Sequence, residues 1–343
     1  MKILSIDFGK ISYNSHTRPL TALDIICKGG GTLMNYPKSF KEVSELLEIL
    51  KNRRLIIDDD KFASDYLYNV NYYRLSAYYI PFYESPNLFK DNVRFEDICN
   101  LYEFDKELRG IVFKYLEQIE IILRTKITHN HARKYGAFGY CNDENSLDKK
   151  YKIRNNSTKT VYDEFMEKVK QEKNRSNEVF IKHIREKYNT NDLPIWALSE
   201  ILSFGTLTKL YTILPKILKK EIANSFHENL DIKVFDNWLL GLTMIRNTCA
   251  HHARIWNRKF TISFKYPKQI TNFLDNSVST NQIFFALSVM LVLLKDNKLK
   301  DELNSLFNRY PNVDKSHMGF TNNWQEFKIW RKMNKNREFY NNI

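Results

Sequence analysis

The sequence predicts an all-α protein, folded as a multi-helix bundle with additional helices at its N-terminal side and inserted within it. Three observations predict this class. Only 10 Gly and 8 Pro occur among 343 residues, which favours long helices over a turn-rich sandwich. Several stretches carry apolar residues at the spacing of an amphipathic helix. The 43% hydrophobic and 27% charged residues are ordinary for a globular chain and exclude wholesale disorder.

The individual helices follow from the period of their apolar residues. The first is predicted to begin near Ser39, and the clearest runs from Phe95 to about Arg133. Gly136 is expected to end this long helix, because glycine readily adopts the backbone conformation that closes helices. A short break is expected after Gly205. Further helices are predicted over residues 160–187, 194–213, 215–226, 231–256, 279–297 and 299–309.

Composition divides the chain into five predicted segments. Their boundaries lie at polar and basic stretches that interrupt the helical pattern. The segments are a variable N-terminal segment (1–36), an N-terminal helical lobe (37–140), a basic linker (141–160), a C-terminal helical lobe (161–315) and a basic tail (316–343).

The charge balance indicates a polyanionic partner. Lys and Arg number 53 against 40 Asp and Glu, so the formal net charge is +13. Such an excess is typical of proteins that bind nucleic acid, and after them of proteins that bind anionic membranes. The alternative is that the basic surface is merely exposed to solvent and binds no partner.

Apolar segments and cysteines argue against several protein classes. The longest apolar run, residues 283–294, is too short for a membrane span, which needs about 20 residues. The N-terminus carries no secretory signal pattern. Cys27, Cys99, Cys141 and Cys249 are far apart, which predicts reduced thiols rather than disulfides or a zinc site. The sequence therefore predicts a cytoplasmic protein.

Two local clusters each admit a structural and a functional interpretation. Asp58, Asp59 and Asp60 are candidates for a metal site, but adjacent carboxylates more often cap the start of a helix. Residues 71–83 are rich in tyrosine and include Arg74, so they are candidates for stacking on bases. An amphipathic core with hydroxyl groups at its rim is the more frequent role of such a cluster.

One short motif occurs twice, each time after a strongly apolar helical stretch. It pairs an arginine with a histidine five positions later: Arg124 with His129, and Arg246 with His251. Histidine titrates near neutrality and suits proton transfer, whereas a guanidinium can bind two phosphate oxygens. These residue types fit RNA cleavage in which the ribose 2′-hydroxyl attacks its own adjacent phosphate. That reaction requires neither a metal nor a nucleophile from the protein.

The spacing within the motif constrains its geometry. Positions five apart on an ideal helix differ by about 140°, so Arg246 approaches from the flank of His251. Asn247 lies four positions before His251 and shares its face, where it can orient the imidazole or bind phosphate. One histidine cannot readily act as both acid and base, so the two motifs are expected to converge on one cleft, within one chain or between two subunits. A zinc site at His251 and His252 is disfavoured, since adjacent helical side chains diverge by about 100°.

At these residues the sequence resembles the Abi-like (AbiD/AbiF) abortive-infection proteins of bacteria, within the HEPN superfamily. One arginine and histidine at this spacing is common by chance and usually structural, but longer strings match in family order across most of residues 38–310. The matching strings are ILKNRRLIIDDD (49–60), NVNYYRLSAYYIPF (69–82), FEDICNLYEFDKELR (95–109), LEQIEIILRTKITH (116–129), LPIWALSEILSFGTLTKLY (193–211) and MIRNTCAHHARIWNR (244–258).

The resemblance implies a HEPN-like helical bundle and a metal-independent endoribonuclease that acts as a toxin in phage defence. Cleavage of cellular or phage RNA would arrest the infected cell, and related proteins are similar to toxins restrained by a small RNA. The implied catalytic residues are Arg246, Asn247 and His251, and Arg124 and His129 match the same pattern more loosely. No metal or other cofactor is implied.

Further basic residues are expected to contact RNA around the cleft. They are His252, Arg254, Arg258, Arg74, Lys149, Lys150, Arg331 and Lys332. The expected partners are RNA, as substrate or small inhibitor, and a second copy of the chain, without a membrane. Two other functions stay open on the residues alone: a non-catalytic RNA-binding module, and an interaction protein that senses a phage component.

Overall fold

Helices make up most of the structure. A computed structural model describes residues 3–4, 39–152, 158–270 and 273–331. Of these residues, 62% are helical and 3% lie in strands, so the all-α prediction is confirmed. The chain divides into two compact units, residues 1–104 and 105–343, and the division lies within a long helix.

The described ranges contain thirteen α-helices. In chain order they are α1 (Val43–Asn52), α2 (Asp60–Val70), α3 (Tyr72–Ser76), α4 (Phe95–Tyr135), α5 (Gly139–Asn142), α6 (Val161–Arg175), α7 (Val179–Tyr188), α8 (Ile195–Ile201), α9 (Phe204–Ile213), α10 (Lys216–Phe226), α11 (Ile232–Ala250), α12 (Ile283–Leu294) and α13 (Lys298–Arg309). Short 3₁₀ turns occur at Ile80–Phe82, Lys315–Met318 and Trp324–Glu326.

Two short antiparallel strand pairs lie in the first unit. The first pair joins β1 (Ile3–Leu4) to β2 (Phe40–Lys41), and the second joins β3 (Tyr83–Ser85) to β4 (Leu88–Phe89). Helix α1 follows β2 and begins with a reciprocal capping box between Glu42 and Glu45. Each pair is a two-stranded sheet of two or three residues per strand, too small to form a β-layer.

The acidic cluster at residues 58–60 caps helix α2. The Asp59 carboxylate accepts a hydrogen bond from the Phe62 backbone N–H at 2.9 Å. Asp58 pairs with Arg94, and Asp60 accepts from Lys51 at 2.8 Å. The capping interpretation is therefore confirmed, because the middle carboxylate satisfies a free N–H of the first helical turn.

The tyrosine-rich segment forms core in the first unit. Tyr72, Tyr78 and Tyr79 are buried, and their rings make edge-to-face contacts within the unit. Tyr79 packs on Tyr83 and on Phe89 of β4, with centroid distances of 6.2 and 5.5 Å. The aromatic rings therefore pack edge-to-face against one another, and the core interpretation of this segment is confirmed.

The second unit is a bundle around α9, α11 and α12. Helix α9 packs against α6 and α11, and α12 packs against α10 and α11. All residues of α12 from Ile283 to Leu293 are buried, as expected for a helix that is apolar on every side. In the described residues, no helix combines the length and the apolar character that crossing a membrane requires.

The segment after α13 docks onto α12. Trp330 stacks on Phe284 with a centroid distance of 5.3 Å, and its indole N–H donates to the Ser288 hydroxyl at 2.8 Å. Ser288, the polar interruption of the apolar run, thus has a partner within the core. The tryptophans and phenylalanines of the described tail up to Arg331 serve packing, while its Lys and Arg side chains face outward.

Two predicted helices are divided in the structure. Residues 160–187 form α6 and α7, because the backbone of Ser176 is extended. Residues 194–213 form α8 and α9, with the break at Leu202 and Ser203 rather than after Gly205. The Ser203 hydroxyl accepts from the Thr206 N–H at 3.3 Å, so a serine cap starts the new helix.

Helix α11 ends at Ala250, six residues before its predicted end. His251 closes the helix, and His252 adopts a left-handed backbone conformation with φ of 55°. The amides of Ile255 and Trp256 then bind a buried carboxylate instead of continuing the helix. The apolar spacing of Ile255 and Trp256 fits a helix, which is why the sequence predicted one. Their backbone conformation is instead determined by tertiary hydrogen bonds.

Two glycine substitutions test the packing of this unit. A Cβ on Gly241 of α11 would lie 2.5 Å from the buried Phe264 ring, whereas one on Gly205 of α9 meets its nearest neighbour, Thr243, at 3.6 Å. We expect Gly241→Ala to destabilise the protein by about 1–3 kcal/mol through overpacking. The matched Gly205→Ala change should be neutral or stabilising by about 0.5 kcal/mol. Chemical denaturation measures both, and equal effects would contradict the packing described.

Candidate functional site

Helices α4 and α11 carry the two motifs and run antiparallel. On α4, Asp105 accepts hydrogen bonds from the amides of Ile255 and Trp256, at 3.2 and 2.7 Å. Glu120 lies fifteen residues after Asp105 on α4. Its carboxylate is 3.7 Å from the Nε atom of Arg246, and Arg246 lies nine residues before Ile255. Within α11 itself, Cys249 lies close enough to Asp105 for the carboxylate to raise the pKa of the thiol, whereas Arg246 reaches Glu120. Position rises along one helix as it falls along the other, so the two helices point in opposite directions.

The arginines of both motifs meet at the Glu120 carboxylate. Nη2 of Arg124 donates to Oε1 of Glu120 at 2.9 Å, one helical turn away on α4. Nε of Arg246, on α11, lies 3.7 Å from Oε2 of the same carboxylate. Arg124 also donates to the Leu202 carbonyl at 3.1 Å, which fixes its guanidinium against the turn between α8 and α9. The fold thus brings the two motif arginines together within one chain.

The Glu120 carboxylate and the Arg124 guanidinium are largely withdrawn from water. Their side chains are 13% and 11% exposed. Burial raises the pKa of Glu120 above the ordinary glutamate value and outweighs the opposing effects of Arg246 and Arg124. The Nη1 atom of Arg124 is buried and has no hydrogen-bond partner among the described residues. A buried guanidinium N–H without an acceptor is a costly group and a strong donor to an anion.

A cleft of about 320 Å³ opens beside the arginine pair. The Arg246 guanidinium lies 5.7 Å from the Phe113 ring centroid, which supports it through a cation–π contact. Besides the two arginines, the cleft is lined by Glu120 and by two further carboxylates, Glu117 and Glu200. In this structure Glu120 is the carboxylate that both guanidinium groups approach.

His251 lies at the end of α11, apart from the lining of that cleft. Its side chain is exposed, and its backbone N–H donates to the Asn247 carbonyl at 3.0 Å. The Asn247 side chain is also exposed, and its Oδ1 accepts from Nη1 of Arg246 at 3.5 Å. Asn247 therefore bridges the arginine and the histidine of the second motif, through its side chain on one side and its backbone on the other.

His129 lines a neighbouring cleft. The other lining residues are Thr125, Thr128, Ala132, Arg133, Trp196, Ser199 and Glu200. Glu200 borders both this cleft and the arginine cleft. The imidazole of His129 is exposed, so it is accessible to solvent and to a ligand.

The antiparallel arrangement places the two histidines on opposite sides of the arginine pair. His129 lies nine residues beyond Glu120, about 14 Å further along α4. His251 lies five residues beyond Arg246 in the opposite direction, about 8 Å away. The two histidines of one chain are therefore separated by about 20 Å along the helix axes. Within one chain the arginines of the two motifs therefore meet and the histidines lie apart; convergence between two subunits stays a prediction.

Asp105 anchors the segment that follows the second motif. It is completely buried and pairs with Arg109, one turn along α4, besides binding the two amides described above. Within the same segment, burial raises the pKa of the Cys249 thiol to about 12, so this cysteine stays protonated and unreactive. The anchor fixes where α11 stops and therefore where His251 is presented.

Sequence reasoning identified neither Asp105 nor Glu120. A signal was present, because each carboxylate lies four positions before an arginine within the apolar pattern of α4. That spacing places an acid and a base on one helix face, next to the buried positions. Their partners, on α11 and in the segment just after it, lie more than a hundred residues away and are not visible in the local pattern.

Arg254 and Arg258, two of the residues predicted to bind RNA, lie just after α11 and are half-buried. Nη1 of Arg258 donates to the Arg254 carbonyl at 3.2 Å. Burial lowers the pKa of Arg258, and the charge of Arg254 lowers it further. His252 is exposed beside them. The three residues extend the basic surface from His251 towards the Asp105 anchor.

The remaining predicted RNA contacts lie on other elements. Lys149 and Lys150 are exposed before α6, and the Lys149 ammonium lies 5.6 Å from the Tyr162 ring centroid. Arg331 is exposed, and its Nε donates to the Glu326 carbonyl at 2.7 Å. Arg74 lies on α3 in the first unit, and Lys332 lies outside the described residues.

The site chemistry favours an anionic ligand. Across the described ranges, no three His, Cys, Asp or Glu side chains are grouped so that they could hold a metal ion. The arginine cleft instead offers two guanidinium groups, which bind phosphate through paired N–H donors.

Comparison with protein families identifies a match. Residues 65–257 match the family model described as Abi-like protein, over more than half of the chain. The chain belongs to the Abi-like family. Membership of the Abi-like family indicates a role in abortive infection, a bacterial defence against phage. The matched range contains Glu120 and both arginine–histidine motifs of this Abi-like protein. Comparisons with curated proteins and with solved structures gave no match.

Loss of the Asp105 charge tests the anchor. We expect Asp105→Asn to destabilise the protein by about 3 kcal/mol, because it removes the buried charge with which the buried Arg109 pairs. Asp275→Asn is the matched control, since Asp275 is exposed and accepts one backbone hydrogen bond from Ser277 at 3.1 Å. The control should change stability by less than about 1 kcal/mol. Urea denaturation measures both changes, and a tolerated Asp105→Asn would contradict the anchoring role.

Proposed function

We propose that this Abi-like protein is a metal-independent endoribonuclease of the HEPN type that acts as a toxin in abortive infection. The observation that carries the proposal is the meeting of Arg124 and Arg246, one from each motif, at a single carboxylate in one cleft. Two guanidinium groups held this close repel each other unless an anion lies between them. Glu120 is that anion in the RNA-free protein, and an RNA phosphate is the proposed replacement.

The arginine pair would bind and stabilise the reacting phosphate. Nη1 of Arg124 has no acceptor among the described residues, so it is a free donor for a phosphate oxygen. Arg246 is 32% exposed and rests on Phe113, so its guanidinium N–H groups are accessible from the cleft. The guanidinium N–H groups would then stabilise the negative charge that develops on the phosphorane. Stabilisation by donors already fixed in place is usually the largest contribution to lowering the activation barrier of such reactions.

The bond changes of the proposed reaction are those of an internal transesterification. A base removes the 2′-hydroxyl proton, the 2′-oxygen forms a bond to phosphorus, and the bond from phosphorus to the 5′-oxygen breaks. The leaving 5′-oxygen takes a proton from an acid. The products are a 2′,3′-cyclic phosphate and a 5′-hydroxyl end, and we assign His251 to one of the two proton transfers.

The position of the histidines favours a site completed by a second chain. Within one chain, His129 and His251 lie about 20 Å apart along the helix axes, so they do not act on the same phosphate. His251 is exposed at the end of α11, where a second copy of the same helix end can approach it. We therefore propose a homodimer that pairs two copies of the C-terminal motif, with RNA bound by the excess of +13 charges.

A non-catalytic RNA-binding module is the second candidate. The exposed position of both histidines, apart from the arginine pair, favours it. In that function the arginines hold phosphate and no proton is transferred. Labelled RNA distinguishes the two candidates, because the module binds RNA with a steep salt dependence and yields no cleavage products.

The arginine pair and His251 are tested by substitution. We expect Arg246→Ala and His251→Ala each to lower RNA cleavage by about 100-fold or more and to relieve growth arrest on expression. Arg309→Ala is the matched control, since Arg309 is an exposed arginine on α13 that pairs with Glu107. A chelator should leave the activity of the unmodified protein unchanged. A fully toxic Arg246→Ala, His251→Ala double variant would contradict the assignment.

His129 separates an intramolecular site from a dimer site. We expect His129→Ala to reduce cleavage less than about tenfold, because His129 is too far from His251 to share its phosphate. Light scattering should show a dimer at the protein concentrations used for the cleavage assay. If His129→Ala is as damaging as His251→Ala and the protein is a monomer, the dimer proposal is wrong.

A further inference from the structure

A second cavity lies in the same unit, apart from the residues that line the arginine cleft. Its volume is about 340 Å³, within the range of small-molecule sites. Its walls come from the turn after α10, which includes Asn229, and from the turn between α12 and α13, which includes Asn297. Three lysines also line it: Lys295 in that second turn, Lys300 on α13, and Lys328 in the docked tail.

Lys300 is the innermost of these cations. It is 6% exposed, and its ammonium donates to the Arg331 carbonyl at 3.0 Å. An ammonium has three N–H donors, and this is the one hydrogen bond that it makes among the described residues. Burial lowers the pKa of Lys300. A buried ammonium with unused donors is stabilised by an anion that brings acceptor oxygens.

Lys295 and Lys328 add exposed positive charge to the same cavity. Across the described ranges, no carboxylate lies within 4.0 Å of the ammonium of Lys295, Lys300 or Lys328, the limit for an ion pair. The charge of Lys295 also reaches Lys126 on α4, whose pKa is lowered by burial first and by Lys295 second. The three lysines of the cavity therefore lack carboxylate partners at contact distance.

The remaining walls define the rest of the ligand. Ile270 and Ile329 supply an apolar side, and Asn229 and Asn297 supply amides. Two carboxylates, Glu228 and Asp296, also line the cavity, and Asp296 accepts from the Lys298 N–H at 2.9 Å. Amides and carboxylates bind hydroxyl groups, whereas the lysines bind phosphate. A sugar that carries both a phosphate and an apolar ring system fits this combination.

We propose that this cavity binds the terminal phosphate of a nucleotide, with Lys300, Lys295 and Lys328 around the phosphate. The volume admits a molecule of mononucleotide size. A phosphate within an RNA strand carries a nucleotide on each side and cannot reach the buried Lys300, so the ligand is a free nucleotide or the 5′-phosphorylated end of an RNA. This binding is independent of the cleavage proposed above.

Calorimetric titration of the full chain tests the site. The probes are AMP, adenosine, and two short RNAs that differ by a 5′-phosphate. We expect adenosine to bind at least about tenfold more weakly than AMP, because it lacks the group that the lysines bind. Lys295→Ala and Lys328→Ala should each weaken AMP binding about three- to tenfold, and Lys300→Met at least about tenfold. Lys298→Ala, an exposed lysine of the same helix that does not line the cavity, is the control and should have no effect.

The two exposed variants keep the test decisive if the buried Lys300→Met variant fails to fold. Lysine-dependent binding of AMP supports the proposal with a free nucleotide as ligand. Lysine-dependent binding of the 5′-phosphorylated RNA, without binding of AMP, supports it with an RNA end as ligand. Absence of binding for all probes, equal binding of AMP and adenosine, or binding unaffected by Lys295→Ala and Lys328→Ala each overturns it. Because Lys295 and Lys328 do not line the arginine cleft, an effect of their variants on binding separates this site from RNA bound at Arg246.

Discussion

The buried carboxylate of Asp105 is the constraint on which the site depends. It meets the Arg109 guanidinium and two backbone amides that lie 150 and 151 residues later in the chain. Such a group is expensive to bury unless every oxygen is occupied, so it specifies one alignment of α4 with the end of α11. That alignment stops α11 at Ala250, brings Arg246 to Glu120 and leaves His251 exposed at the helix end.

Glu120 sets the electrostatics of the cleft. The chain has a net charge of +13, yet this cleft is lined by two arginines and three carboxylates. The basic excess therefore lies elsewhere, and the arginine pair is compensated until another anion displaces Glu120. Burial opposes the ionised form of Glu120, so the proposed exchange of this carboxylate for an RNA phosphate removes a charge that the cleft already disfavours.

The hydrophobic core explains how the rest of the unit supports these polar contacts. Helix α12 is apolar on all sides, so it must be enclosed, and α10, α11 and the segment that ends at Trp330 enclose it. Helix α11 packs against α12 with the face that is turned away from solvent, and this contact positions α11. The lysine-lined cavity lies at the end of this helix, since Lys295 caps α12 and Lys328 belongs to the tail that docks onto it.

The sequence by itself determined the fold class, most helices, the capping role of Asp59 and the core role of the tyrosines, since these depend on local spacing. It also determined the resemblance to Abi-like proteins, which depends on recognisable strings. It also singled out the two motifs. Tertiary structure alone decided that their arginines converge while their histidines diverge, and that Asp105 and Glu120 control the arrangement. The reason is physical: local spacing determines which face of a helix a residue occupies, whereas the direction and register of two helices depend on contacts between residues more than a hundred positions apart.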